Sequence, residues 1–191
     1  VVAVRLVHGD AVLSASVSFT YHVDMEVRSV EPAVGVLGGG TLVRVRGAGF
    51  DPSVQLVVRV GAQTLVSARV LSATMVECTM PSEAVPGLRA LEVSRNAQDF
   101  TGDEVLFEYQ ASLRLDELVP SRGPSSGGTF VVIVGAGFSR RSAALAYTHA
   151  RFNTSRVPAV WESAAELRAV APTHVAGLVR VDVTQNDQQY A

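Results

Sequence analysis

The chain has no lysine, one cysteine, one isoleucine, one tryptophan and only three asparagines among its 191 residues. Each scarcity closes off a class of function. All 16 basic residues are arginine and face 18 carboxylates, so the formal net charge is −2. That balance gives no general pull toward nucleic acid or an anionic membrane. A single cysteine, Cys78, cannot form a disulfide within these residues. The longest apolar stretch, near Phe130–Phe138, is far too short to span a bilayer. Four histidines (His8, His22, His149, His174) are scattered without metal-ligand spacing. Serine, histidine and aspartate are all present, but no nucleophile elbow or base partner can be read. No metal, no cofactor and no catalytic residue is therefore expected. No helical periodicity of useful length is visible, and no signal peptide or targeting motif.

What the chain does have is glycine used as punctuation. Of 16 glycines, 11 lie in two copies of one stretch, so glycine serves the loops of that unit rather than filling space generally. The first copy runs from Pro32 to Phe50 and the second from Pro120 to Phe138. Pro32, Gly40 and Phe50 return 88 positions later as Pro120, Gly128 and Phe138, which defines an internal repeat. Within the stretch, Val43 and Val45 alternate with Arg44 and Arg46, the period-2 pattern of a half-buried strand. Gly47-Ala48-Gly49 then ends the strand, and Phe50 is placed to plug the end of a core.

These residues resemble the IPT/TIG family. The resemblance is carried by Pro32, Gly39-Gly40-Thr41, Val43, Val45 and Gly47-Ala48-Gly49-Phe50. The second copy carries it in Pro120, Gly127-Gly128-Thr129, Val131, Ile133 and Gly135-Ala136-Gly137-Phe138. Cys78-Thr79-Met80-Pro81, Ala90–Ser94 and Phe107-Glu108-Tyr109 are later landmarks. The resemblance implies an all-β chain of tandem immunoglobulin-like β-sandwiches of the E-set type, in an extracellular protein.

Three segments are expected. Residues 1–22 read as the last two strands of a preceding module, because Val17–Tyr21 matches Val105–Tyr109 at the same offset. They are joined by a turn at His8-Gly9-Asp10 and cannot bury a core alone. Residues 23–110 read as one complete module, with strands over Val27–Pro32, Thr41–Arg46, Gln55–Val60, Thr64–Leu71, Thr74–Met80, around Leu91 and Val93, and over Val105–Tyr109. Residues 111–191 repeat the plan, with extra residues in Ser139–His149 and no counterpart of the closing strand. The chain thus reads as an excerpt that starts and stops inside repeats.

Candidate sites are few. Gly135-Ala136-Gly137 after a strand superficially suggests a dinucleotide turn. The third glycine is missing, with Arg140 in the region, and no helix pattern follows, so a β-turn is expected. Asn153-Thr154-Ser155 is an N-glycosylation sequon, or else a plain polar turn. Cys78 is read as a small buried hydrophobe, with pairing to another chain as the alternative. In extracellular relatives a cysteine here often pairs with one on an earlier strand, which Gln55–Val60 does not offer. Asp99, Asp103 and Glu104 read as solvated acids rather than a calcium site. Between Glu117 and Glu162 there is no acid but five arginines. Arg140, Arg141, Arg151 and Arg156 are therefore candidates for a surface that meets an acidic protein, a sulfated glycan or a neighbouring module, or for an ordinary solvated face.

The expected function is structural or adhesive: a stalk, spacer or filament component of a long extracellular or cell-surface protein. Its partners would be neighbouring modules of the same chain, with no nucleic acid and no membrane insertion. The short linkers at His22-Val23-Asp24 and Gln110–Leu113 lack a Gly/Ser run, which implies semi-rigid packing end to end. The resemblance leaves three other roles open. These are a ligand-binding ectodomain of the plexin or fibrocystin kind, an accessory module of a secreted enzyme, and a Rel-type DNA-binding domain, which the charge disfavours.

Overall fold

The computed structural model describes residues 2–12 and 16–191. At the N-terminus, β1 (Val2–Val4) pairs with β4 (Val17–Phe19), and β2 (Val7–His8) pairs with β3 (Ala11–Val12) across a turn at Gly9-Asp10. The described side chains of residues 2–11 and 16–22 are exposed, with Phe19 and Tyr21 in edge-to-face contact at 5.0 Å.

The first module has eight strands. They are β5 (Glu26–Glu31), β6 (Val34–Val36), β7 (Leu42–Ala48), β8 (Leu56–Val60), β9 (Thr64–Ser72), β10 (Met75–Thr79), β11 (Gly87–Ser94) and β12 (Val105–Gln110). Their order is β5-β7-β10-β9-β8-β11-β12-β6. The nine-residue β9 ties the two layers together: its first half pairs with β8 and its second half with β10. Alternation places Val43, Val45, Leu56, Val58, Val76, Leu91, Val93 and Phe107 between the layers, and all are essentially inaccessible. Each such side chain contributes about 1.5–3 kcal/mol from removal of its surface from water. Phe50 and Cys78 are both buried in this core.

The second module repeats this with β13 (Arg114–Val119), β14 (Phe130–Ala136), a short helix α1 (Arg140–Ala144), β15 (His149–Phe152), β16 (Ser155–Ser163), β17 (Glu166–Val170) and β18 (Val181–Thr184). The order is β13-β14-β17-β16-β15-β18, with a second core built on Val131, Ile133, Phe138, Phe152, Leu167 and Val183. Among the described residues this sheet has no counterpart of β6 or β12.

Gly47 and its repeat Gly135 show why glycine recurs. A Cβ at Gly47 would lie 1.9 Å from the Glu26 carbonyl oxygen, and one at Gly135 would lie 2.1 Å from that of Arg114. The first strand of each module crosses so closely, at a register shift, that only glycine fits.

Two features differ from expectation. Val34–Val36 forms a parallel strand against β12, too short to show a pattern of its own. A helix does follow Gly135-Ala136-Gly137, contrary to the β-turn reading. It is five residues long, capped by the Ser139 hydroxyl, which accepts from the Ser142 amide at 3.3 Å. So short a helix completes fewer than two turns and buries only Ser142, so it leaves no periodic signal. It occupies the extra residues of Ser139–His149.

Candidate functional site

Polar burial is concentrated where the two modules meet. Of the nine buried polar side chains among the described residues, Thr41, Gln110, Ser142, Gln185 and Asn186 gather there, so this contact is built rather than incidental. The second module contributes the loop that follows β18. Asn186 organises it: its side-chain oxygen accepts from the amides of Gln188 and Gln189 at 3.1 and 3.0 Å. The loop then offers two glutamines outward.

Gln188 grips the start of β7. Its Oε1 accepts from the Leu42 amide at 2.8 Å, and its Nε2 donates to the Leu42 carbonyl at 2.7 Å. Beside it, the Thr41 hydroxyl donates to Gln189 Oε1 at 3.1 Å. Gln185 Nε2 donates to the Gly137 carbonyl at 3.0 Å and lies 3.4 Å from Gln110 Oε1, which also accepts from the Ser142 hydroxyl at 3.1 Å. Helix α1 thus brings its one buried residue onto the end of β12. Arg141 adds an ion pair with Glu108 at 3.3 Å. Burial pushes the Tyr147 phenol pKa up, against the opposing effect of its hydrogen bond with the Ala33 backbone.

The candidate arginines fall on this module's surface with internal partners. Arg141 pairs across the junction as described. Arg151 meets Asp182 at 2.8 Å and stacks over Tyr190 at 3.8 Å. Arg156 meets Asp187 at 2.7 Å, beside His149. Arg140 lies 5.9 Å from the Trp161 ring. Burial pushes up on the Asp182 carboxyl, but Arg151 and Arg180 overcome it and hold the group below its usual range.

Asn153 sits in the exposed turn between β15 and β16 at φ +56°, with its amide donating to the Arg180 carbonyl at 2.8 Å. Burial, with a smaller push from Glu77, raises the Cys78 thiol pKa to about 12. Asp103 is exposed and also accepts from the Val27 amide at 2.6 Å. Asp99 accepts from the Asn96 side chain at 2.8 Å. Among the described residues no three His, Cys, Asp or Glu side chains gather as a metal site, and no helix is long and apolar enough to cross a membrane.

Sequence reasoning missed Gln188, Gln185, Asn186, Gln110 and Thr41 as a set. The only local signal was the polar run Gln185–Gln189, which has no periodicity.

The chain is 30% identical over 130 residues to Homo sapiens fibrocystin-L, covering 66% of this chain and 3% of that protein. It is 32% identical over 117 residues to Homo sapiens plexin-B1, covering 58% of this chain and 5% of that protein. The chain therefore spans only a small part of these relatives. A solved structure of the plexin A4 full extracellular region superposes with a TM-score of 0.52 at 22% identity, over 88% of this chain and 17% of that one, and shows the same fold. The IPT/TIG domain pattern matches twice, over residues 25–109 and 113–191. Two successive matches account for most of the sequence: this chain belongs to the IPT/TIG domain family.

Proposed function

We propose that the chain is a non-catalytic, semi-rigid spacer within a larger extracellular protein. The observation that carries this is the two-bond grip of Gln188 on Leu42, backed by buried Gln110, Ser142 and Gln185. Domain contacts within a chain default to relative motion unless the interface is large and hydrophobic, so the restraint in this reading comes from the buried hydrogen bonds instead. Here a hydrogen-bonded polar interface holds the second module in one orientation. Similarity to a plexin extracellular region supports the extracellular placement.

In this reading residues 1–22 are the closing strands of a like module, residues 23–110 a whole module and residues 111–191 one without its last strand. The Phe19–Tyr21 pair supports the first assignment. Its 5.0 Å, 75° geometry matches that of Phe107–Tyr109, at 5.1 Å and 75°, which is buried in the first core. Asn153, exposed at a turn, is proposed to carry a glycan when the protein is secreted by a eukaryotic cell. The substitution Asn153→Gln should then remove one glycan's mass.

A ligand surface formed by Arg140, Arg141, Arg151 and Arg156 has less support, since three of the four already face carboxylates of this chain. Reversing Arg140 and Arg141 to Glu should leave binding of an acidic glycan unchanged. Small-angle scattering of the intact chain tests the spacer reading. One inter-module arrangement should account for the profile; a broad spread of angles would count against it.

A further inference from the structure

The loop that grips Leu42 has a counterpart one module earlier. Thr184-Gln185-Asn186-Asp187-Gln188-Gln189-Tyr190 follows Ser94-Arg95-Asn96-Ala97-Gln98-Asp99-Phe100 by 90 positions, and both read Ser/Thr-x-Asn-x-Gln-x-aromatic. The geometry repeats with the letters. Bridges Ser94–Phe100 and Thr184–Tyr190 close the two loops. Asn96 Oδ1 accepts from the amides of Gln98 and Asp99 at 3.0 and 2.9 Å, as Asn186 does from its own pair. The Asn96 side-chain amide donates to Asp99 at 2.8 Å, as that of Asn186 donates to Gln189. Ala97 and Asp187 both take left-handed φ, at 57° and 62°. Arg59 stacks over Phe100 at 4.1 Å as Arg151 stacks over Tyr190.

The surroundings of the two loops match on one side. At the junction within the chain, Gln110, Ala111, Leu113, Gln185, Asn186 and Gln189 close against Gly35 and Val36 of β6, leaving a gap of about 20 Å³. Their counterparts His22, Val23, Met25, Arg95, Asn96 and Asp99 line a cleft of about 450 Å³. The closed junction thus owes its closure to β6 and the strand start at Thr41-Leu42, both of the module before the loop. Arg95 fixes the direction of approach to the cleft. Its guanidinium donates to the Val23 carbonyl at 2.8 Å and to the Gly49 carbonyl, the repeat of the Gln185–Gly137 bond. The strand Val17–Phe19 is thereby led in beside the Asn96 loop, as Phe107–Tyr109 is led in beside the Asn186 loop.

We propose that the Ser94–Phe100 loop seats the preceding module of the same chain, the one that residues 1–22 close. Gln98 takes the backbone amide and carbonyl of the residue after that module's Gly-Gly-Thr, as Gln188 takes those of Leu42. That module's counterpart of Val34–Val36 fills the cleft. Asp99 stands where Gln189 stands, so the threonine hydroxyl donates to a carboxylate, a charge-assisted bond. The proposal rests on the reading of residues 1–22 as closing strands, and it adds which side chains hold that module. Each module then touches only its neighbours, through one loop repeated along the chain, so successive modules share one orientation.

Amide hydrogen exchange on the natural protein, from the module that contains residues 1–22 through Ala191, tests this. Protection of the Val17–Phe19 amides reports whether residues 1–22 close a module. The amide that follows the upstream Gly-Gly-Thr should be protected as well. Gln98→Ala, at a position exposed in this structure, should make that amide exchange about tenfold faster, the loss of one to two hydrogen bonds. The Val17–Phe19 and Leu42 amides should stay unchanged in that variant, showing that both modules and the junction at Leu42 persist. Unprotected Val17–Phe19 amides would overturn the reading of residues 1–22 and the proposal with it. Protected Val17–Phe19 amides beside a strand-start amide that ignores Gln98→Ala would leave that reading standing and overturn the proposal alone.

Discussion

Gln188 and Leu42 stand 146 residues apart, yet one side-chain amide satisfies both backbone groups of the other residue, at 2.8 and 2.7 Å. The geometry imitates the next strand of a sheet at the point where β7 begins. Removing the side chain leaves the Leu42 groups to water, so the loss should cost only about 1 kcal/mol of stability. Gln188→Ala should therefore melt within a few degrees of wild type. Its Leu42 amide should exchange about tenfold faster, while Val43 and Val45 stay protected.

Gly135→Ala tests the close crossing of β13 and β14. The added carbon would meet the Arg114 carbonyl at 2.1 Å, where backbone rather than a flexible side chain must yield. A loss of about 1–3 kcal/mol is expected from overpacking, read by urea unfolding. A neutral result would mean that β13 does not cross at this register.

Cys78 should be inert in the folded protein. Burial raises its thiol pKa to about 12, so thiolate is scarce at neutral pH and reagents lack access. A disulfide reagent should modify it only at the rate of unfolding. Fast modification under native conditions would remove it from the core.

How much of this was legible in the chain depends on range. β7 was plain because valine alternates with arginine, and β14, an unbroken apolar run, was legible as the repeat of β7. The 88-residue offset gave the two-module plan. β6 was not readable: three residues bonded to a strand far along the chain carry no pattern. Helix α1 was hidden because it is so short, although the length difference marked its place. The junction was hidden most fully. Glutamine and asparagine look like surface residues until a partner from the other module covers them, and no local periodicity announces that partner.

Asp182 links stability to pH. It is buried, and its pKa is held below the usual carboxylate value despite the opposing cost of burial, because Arg151 and Arg180 flank it. A depressed folded-state pKa contributes stability above the unfolded value, and that contribution is lost as pH falls through the folded one. The second module should therefore lose stability on acidification below the ordinary carboxylate range. Asp182→Asn should flatten that part of the profile in a pH series of thermal melts.

The fixed junction is tested most directly by the distance distribution between spin labels placed at Arg69→Cys and Glu166→Cys, one exposed site in each module. The buried native thiol should not interfere. A single narrow distance is expected for the otherwise unaltered chain, broadening when Gln188→Ala is combined with Arg141→Glu. A distribution that is already broad without those changes, or one that they leave untouched, would contradict the account.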